Sequence, residues 1–448
     1  MATLDHKFSR LAALKPARPA TVRATTLREP CEEDTLARLL GAGVSTNRFG
    51  EHLAVRNWFS TPEFAAPHSI CLQLLCQQRD EVISRRARVA LENPEKWLFL
   101  DTETTGLAGG TGTYAFLIGL AWWDAGGLQV EQLFMRDFAE EHSVLCQLAA
   151  RLAERPVLVT FNGKTFDWPL LENRFRMTRS IAVPTLAAHL DLLHPARALW
   201  KFRLGSVRLT DLEREVLNPT LLGWRREDDV SSRFIPQFYF DYLRGGPPEP
   251  LLGVSRHNQM DLRGLGALFG KINSLLAEEA NPDEQMHGLD LFGLSKFLHR
   301  RGDKGRAQLA CAQAVDVGLP LEFHSRAQHD LALMAKRKGE HQRAVELWNE
   351  ILAHETLPDS SEAIHACEQL AIHYEKRVKD YERALEFAHR TRKLLRVQAR
   401  QVNIFARSGF ARREDLSLKR IKRLEGRLTK RAGKLLTLAD TSAAAGTI

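Results

Sequence analysis

Trp97-Leu98-Phe99-Leu100-Asp101-Thr102-Glu103-Thr104-Thr105-Gly106-Leu107 is the stretch whose reading decides the fold. Four apolar residues run into two carboxylates one residue apart, and a Thr-Thr-Gly turn follows. A short apolar run ending in such a break reads as a buried β-strand. Side chains alternate along a strand, so Asp101 and Glu103 share one face at its end. Two carboxylates there repel each other and resist desolvation unless a cation lies between them. Hard oxygen donors of this kind suit Mg²⁺ or Mn²⁺. By itself a D-x-E pair describes a solvated strand end equally well; the apolar run before it and T-T-G-L after it make it specific.

Outward from this strand the pattern continues. Tyr114 to Trp123 reads as a second strand, Asp124-Ala125-Gly126-Gly127 as a turn, and Leu128 to Met135 as the returning strand of a hairpin. Glu140 to Ala153 has helical spacing, with Val144, Leu145, Leu148 and Leu152 on one side. Val157 to Phe161 is a further strand, stopped by Asn162-Gly163, and a helix follows through about Arg176. Another strand ends near Asp191, and a helix runs from about His257 to Ile272. A strand meander followed by alternating strands and helices predicts an α/β mixed sheet with flanking helices.

That domain spans 96–274. Residues 1–95 read as an N-terminal arm and a helical extension, with a flexible stretch to about residue 30 and short helical patterns at Leu36–Leu40 and Leu72–Ala90. The polar segment 275–289, with Asn281-Pro282-Asp283, reads as a linker. Residues 289–400 are helical in pattern and contain three related frames: Gly302-Asp303-Lys304-Gly305-Arg306-Ala307, Gly339-Glu340-His341-Gln342-Arg343-Ala344 and Lys379-Asp380-Tyr381-Glu382-Arg383-Ala384. Their alanines lie 37 and 40 residues apart. The region resembles tetratricopeptide repeats, which place small residues where paired helices cross at a period of about 34. The period here is longer, and Ile351 and Ile372 stand where small residues are usual, so an irregular helical bundle is the other reading. Either surface suits docking of a protein partner better than chemistry.

The formal net charge of +8 suggests an acidic partner such as nucleic acid. Arg412 to Lys434, within a basic C-terminal tail over 401–448, carries +7 of it. Six cysteines form no C-x-x-C pair and no zinc spacing, which predicts a reducing, cytoplasmic setting. The longest apolar stretch, Tyr114 to Trp123, is too short for a bilayer, which needs ~20 residues. No membrane association is expected.

Two further motifs carry candidate chemistry. In Phe161-Asn162-Gly163-Lys164-Thr165-Phe166-Asp167-Trp168 a strand turns into a helix, with Asp167 in or near the first helical turn. Complementing the helix dipole explains an acid there, but not its position at the same sheet end as Asp101. In His257-Asn258-Gln259-Met260-Asp261 the i, i+4 spacing puts His257 and Asp261 on one helix face. Asp191 reads as a group behind the site or as a loop cap. Asn162 reads as a substrate contact or a turn residue. Arg197, Lys201, Arg203 and Arg208 form a basic stretch suited to a nucleic-acid backbone. Trp168 and Trp200 read as core rather than as stacking platforms.

Taken together, Asp101, Glu103, Asp167 and Asp261 resemble the acidic set of the four-carboxylate exonucleases, and the closest resemblance is to the YprB-type ribonuclease-H-like exonuclease domain. It is carried by LDTETTGLAGGTGTYAFLIGLAW, VTFNGKTFDWPLLENRF, HLDLLHPARALWKFRLGSVRLTDLE, PQFYFDYLRGG and HNQMDLRGLGAL, over about residues 95–273. The resemblance implies a ribonuclease-H-like fold and a metal-dependent 3′–5′ exonuclease acting on DNA or RNA. Two Mg²⁺ or Mn²⁺ ions would be held by Asp101, Glu103, Asp167 and Asp261, with His257 activating water. Thr104, Gly106, Leu107, Asn162, Lys201 and Arg203 would bind substrate. The sequence departs from the family at one point: His-type members place the histidine five residues before the last Asp, whereas here it stands four before it and Arg256 holds the other position. A structure-specific endonuclease on the same fold, or a nucleic-acid-binding adaptor acting through the helices, are the competing readings.

Overall fold

A computed structural model of the chain describes residues 27–28, 34–60, 85–106, 112–217, 222–224, 226, 229–277, 286–353, 360–401 and 404–445. The chain divides into two compact units, one of residues 1–197 and 206–280, the other of residues 198–205 and 281–448.

The first unit contains β1 (Leu27–Arg28), α1 (Thr35–Leu40), β2 (Gly43–Asn47), β3 (Gly50–Ser60) and α2 (Arg85–Leu91). There follow β4 (Trp97–Thr104), β5 (Ala115–Asp124), β6 (Gly127–Phe134), α3 (Glu141–Glu154), β7 (Val157–Thr160), α4 (Asp167–Thr178) and β8 (Ala188–Asp191). After them come α5 (Leu193–Leu204), within which the unit boundary falls, α6 (Leu209–Glu215), α7 (Ile235–Leu243) and α8 (Glu249–Leu276). The eight strands form one sheet in the order β1-β2-β3-β6-β5-β4-β7-β8. β4 pairs in parallel with β7, and β7 with β8; the remaining pairs are antiparallel.

The alternation along β4 divides the core. Leu98 and Leu100 pack on one face with Leu158, Leu171 and Phe175. On the other face Trp97 and Phe99 meet Trp123 and Phe269 edge-on or tilted, at centroid distances from 4.8 to 6.4 Å. Phe269 belongs to α8, so this aromatic cluster seats α8 across the strand that ends in Asp101 and Glu103.

Two expectations are corrected here. The segment after residue 31 is not only helical: β2 and β3 extend the sheet, with β3 pairing along β6 from Leu53–Phe134 to Ser60–Gly127. Its strand pattern is faint because His52 is fully buried among Leu53, Ala54 and Val55 instead of alternating outward. The final helix starts at Glu249, ahead of His257, because Pro250 is accommodated in its first turn, where a missing N–H costs nothing. The Leu72–Ala90 stretch lies largely outside the described residues, as do most of the N-terminal arm and Asn281-Pro282-Asp283.

The second unit consists of the end of α5 and α9 (Gly288–Arg301), α10 (Lys304–Val317), α11 (Leu321–Lys338), α12 (His341–Ala353), α13 (Ser361–His373), α14 (Tyr381–Gln401) and α15 (Ile404–Ala445). Consecutive helices pack as hairpins. Each repeated frame of the sequence forms a helix–helix joint. Gly302, Gly339 and Lys379 take left-handed conformations at φ 93°, 87° and 61°, and Ala307, Ala344 and Ala384 are completely buried one turn later. Small side chains let the paired axes approach, which explains why alanine recurs there. The basic tail falls largely within α15, which packs on α14, with Arg420 and Arg423 bonded to the buried Glu375 and Arg413 to Glu368. Among the described residues no helix is long and apolar enough to cross a membrane.

A buried carboxylate ties the N-terminal strands to this sheet. Glu131 on β6 is fully buried and lies directly opposite Arg56 on β3. Arg56 Nε donates to it at 2.8 Å and Arg151 Nε at 2.6 Å. Burial works to raise its pKa, but the bonds from Arg151 and Arg56 prevail and hold it below the ordinary glutamate value. A carboxylate with a depressed folded pKa stabilises the protein above its unfolded pKa, and that contribution is lost as pH falls through the folded value. Glu131→Gln is expected to destabilise the protein by ~3 kcal/mol at pH 7. It should also flatten the loss of stability below about pH 4.3. Urea denaturation across pH 3–7 reads both effects.

Candidate active site

β4 delivers Asp101 and Glu103 to the face covered by α8, and Thr102 to the opposite face. Opposite them on β5 lie Gly119 and Leu117, and the register slips between Glu103 and Thr104. Such a bulge re-aims the strand end. The turn beyond is pinned: Thr104 Oγ1 donates to the Gly106 carbonyl at 2.9 Å, and Thr105 exchanges bonds with the Tyr114 backbone. Leu107 lies outside the described residues.

Asp167 reaches the same end of the sheet by another route. β7 runs parallel to β4 and stops at Thr160, and the chain then turns through Asn162 at φ 67°, a left-handed conformation that asparagine tolerates. Gly163 follows because a Cβ there would lie 2.5 Å from the Thr160 side chain. The Asp191 carboxylate clamps this turn, accepting from Asn162 N at 2.7 Å, Lys164 N at 3.1 Å and Leu193 N at 3.1 Å. Asp191 is therefore a loop cap that stands behind the site. Asp167 opens α4, and Thr102 Oγ1 donates to its Oδ1 at 2.5 Å. The threonine between the two strand carboxylates thus holds the third.

α8 supplies the rest. Asp261 Oδ1 accepts from Arg226 Nη2 at 2.5 Å, and its Oδ2 lies 3.6 Å from His257 Nε2. His257 Nδ1 lies 2.8 Å from both Asp229 oxygens. Arg226 also donates to Glu213 at 2.6 and 2.7 Å and to Asp229 at 2.9 Å, so one guanidinium holds three carboxylates. On the other side of His257, Asn258 is fully buried and donates to Asp101 Oδ2 at 2.8 Å.

The charges interact strongly. Burial, then Asp261 and Asp167, push the Asp101 carboxyl well above its usual range, against the Asn258 hydrogen bond. Glu103 is driven up by burial and by Asp101, Asp261 and Asp167. Burial lifts Asp167 to about 6 despite the Thr102 bond. Burial works to lower the pKa of His257, but the Asp229 bond and the charges of Asp261 and Asp229 carry it above the ordinary value.

Among the described residues no three His, Cys, Asp or Glu side chains converge closely enough to enclose a metal ion as they stand. The donor chemistry nevertheless fits a hard divalent cation. All four groups offer carboxylate oxygen, and their mutual repulsion is what a bound cation relieves.

Several residues fall elsewhere or were not foreseen. Lys201 and Arg203 belong to the second unit, where Arg203 Nε donates to Asp290 at 2.8 Å. Trp168 and Trp200 are core residues. Sequence reasoning missed Arg226, Asp229, Glu213 and Asn258. The first two lie in an Arg-, Glu- and Asp-rich segment without periodicity. Two glycines were available signals: a Cβ at Gly264 would lie 2.2 Å from Glu213 Oε1, and one at Gly119 would lie 2.1 Å from Asn258 Oδ1.

The RNase_H superfamily matches residues 98–273, from within β4 to within α8. The protein YprB of Bacillus subtilis (strain 168) is 30% identical over 304 residues, covering 67% of this chain and 70% of its own.

Arg226 is the contact cation of the cluster, with 14% of its side chain exposed. Replacing it with methionine keeps the stem and takes the guanidinium away from Glu213, Asp229 and Asp261. Arg226→Met should cost ~3–5 kcal/mol of stability in chelator. Chemical denaturation measures it, and a loss under 1 kcal/mol would show that the three carboxylates find other partners.

Proposed function

The chain belongs to the RNase_H superfamily as a relative of YprB, and from that premise we propose that it is a metal-dependent nuclease that hydrolyses DNA or RNA as a 3′–5′ exonuclease. The superfamily has a nuclease-type fold in which divalent metals are common. The observation that carries the proposal is the mutual repulsion of Asp101, Glu103 and Asp167 with Asp261, acids that come from β4, α4 and α8. A protein that only bound nucleic acid would gain nothing by aiming four carboxylates at a polyanion.

Asp101, Glu103, Asp167 and Asp261 would hold the ions. Two Mg²⁺ or Mn²⁺ would supply neutralisation of phosphate charge and acidification of the attacking water. Asp229 fixes the orientation of His257 by taking the Nδ1 side, so that Nε2, with Ser232 Oγ at 3.5 Å and Asp261 Oδ2 at 3.6 Å, is the nitrogen that would accept the proton of the attacking water. Thr104, which ends β4, Gly106 in the turn beyond it, Leu107, and Asn162 in the turn before α4 would grip a terminal nucleotide. The helical unit would serve to dock a protein partner.

The test is full-length protein with 5′-labelled single-stranded DNA and RNA, in Mg²⁺, Mn²⁺ or chelator. A ladder of products shortening from the 3′ end is expected with metal and none with chelator. Cleavage of 3′-blocked or circular strands would replace the exonuclease reading with an endonuclease. Asp101→Asn should lower the rate ~10³-fold, equivalent to ~4 kcal/mol of transition-state stabilisation. Full activity in that variant would remove Asp101 from the mechanism.

His257 acts on rate rather than binding in this scheme. His257→Ala should lower kcat by ~10²–10⁴-fold with KM little changed. A kcat within twofold of the parent would leave His257 as a helix-face partner of Asp229 alone.

A further inference from the structure

Asp101 is the only one of the four carboxylates that receives a hydrogen bond from an amide side chain among the described residues, and that amide is locked from behind. Asn258 Nδ2 donates to Asp101 Oδ2 at 2.8 Å, and Asn258 Oδ1 accepts from Gln132 Nε2 at 2.8 Å. Gln132 is held in turn: its Nε2 donates to the Ser255 carbonyl at 2.9 Å, and its Oε1 accepts from Ser255 Oγ at 2.8 Å and Gln259 Nε2 at 3.0 Å. Every amide in the chain has one polarity. Flipping Asn258 would set its oxygen against a carboxylate and its NH₂ against the NH₂ of Gln132, two repulsions in a buried place. Asn258 and Gln132 are 0% and 1% exposed.

The sheet is cut away to admit this amide. Gly119 stands directly opposite Asp101 on β5, and a Cβ on it would lie 2.1 Å from Asn258 Oδ1 and 2.7 Å from Nδ2. Packing alone would be served by an apolar residue at 258 and an alanine at 119. Asn258 Nδ2 reaches the Asp101 carbonyl at 3.4 Å as well as the carboxylate at 2.8 Å, and a buried amide chain ending there is more than packing alone requires.

We propose that Asn258 is a positioning residue that, anchored through Gln132 and seated on Gly119, pins Oδ2 of Asp101 and so holds this carboxylate in the orientation in which it would bind the cations. A carboxylate with a free rotor loses orientation each time it is called on to ligate; one already bonded at its outer oxygen does not. Outer partners of this kind typically change metal affinity or activity by ~10–100-fold.

The inference rests on the metal-dependent reading above, and the experiment separates the two. Mn²⁺ is titrated calorimetrically into metal-free full-length parent, Asp101→Asn, Asn258→Ala and Asn258→Leu, with metal-free melting temperatures recorded in parallel. Leucine keeps the volume and removes the donor, so it reports even if alanine compromises folding. Both Asn258 variants should bind Mn²⁺ at least ~10-fold more weakly than the parent. A purely structural role would lower the metal-free melting temperature and leave Mn²⁺ affinity intact, which overturns the inference. Absence of Mn²⁺ binding by the parent would overturn the metal-dependent reading, and this inference with it. Parental binding lost in Asp101→Asn but kept in both Asn258 variants would overturn only the present inference.

Discussion

Repulsion among Asp101, Glu103, Asp167 and Asp261 has to be opposed somewhere, and much of the first unit supplies the opposition. Thr102 donates to Asp167 from the far face of the strand that carries Asp101 and Glu103. Asn258 and Gln132 donate along one direction toward Asp101. Arg226 gathers Asp261 together with Glu213 and Asp229. The aromatic cluster of Trp97, Phe99, Trp123 and Phe269 holds α8 against the strand so that these partners stay in reach. Apolar packing here provides position, and the polar groups provide tolerance of charge.

The strand that ends in Asp101 was legible in the sequence because two independent signals coincide there: an apolar run, and acids at a spacing that only a strand turns into a shared face. The hairpin of β5 and β6 was legible from its turn residues, and Asp167 from the strand–turn–helix that precedes it. β2 and β3 were not. Their inward positions mix Ser45 and His52 with apolar residues, so the two-residue period is blurred. Arg226 and Asp229 were hidden for a different reason. Their roles arise from long-range pairing, Arg226 with Asp261 across 35 positions and Asp229 with His257 across 28, and no local pattern encodes it. Asn258 was in plain view in the last motif, but its task shows only once Gly119 is known to face it.

In the second unit, recurrence in the sequence marked joints rather than whole repeats. The three frames fall at helix ends, where left-handed backbone and a buried alanine are both required. The helices between them vary, from 13 residues in α12 and α13 to 18 in α11. Part of the charge of the basic C-terminal segment is neutralised inside this unit. Glu375, 3% exposed at its side chain, takes Arg420 and Arg423 directly and has Arg427 within 3.7 Å. Counting charges along a chain overstates what reaches solvent when a helix carries its counter-ions on a neighbour.

The three joints differ in one respect. Two place glycine in the left-handed position, and the third places Lys379 there at φ 61°. A side chain with a Cβ carries a penalty in that region of about 1–2 kcal/mol, which glycine avoids. The third joint therefore holds unused thermodynamic headroom. For anyone seeking a hardier protein, this turn is the natural first position to engineer, since glycine there would relieve backbone strain without touching any carboxylate of the first unit.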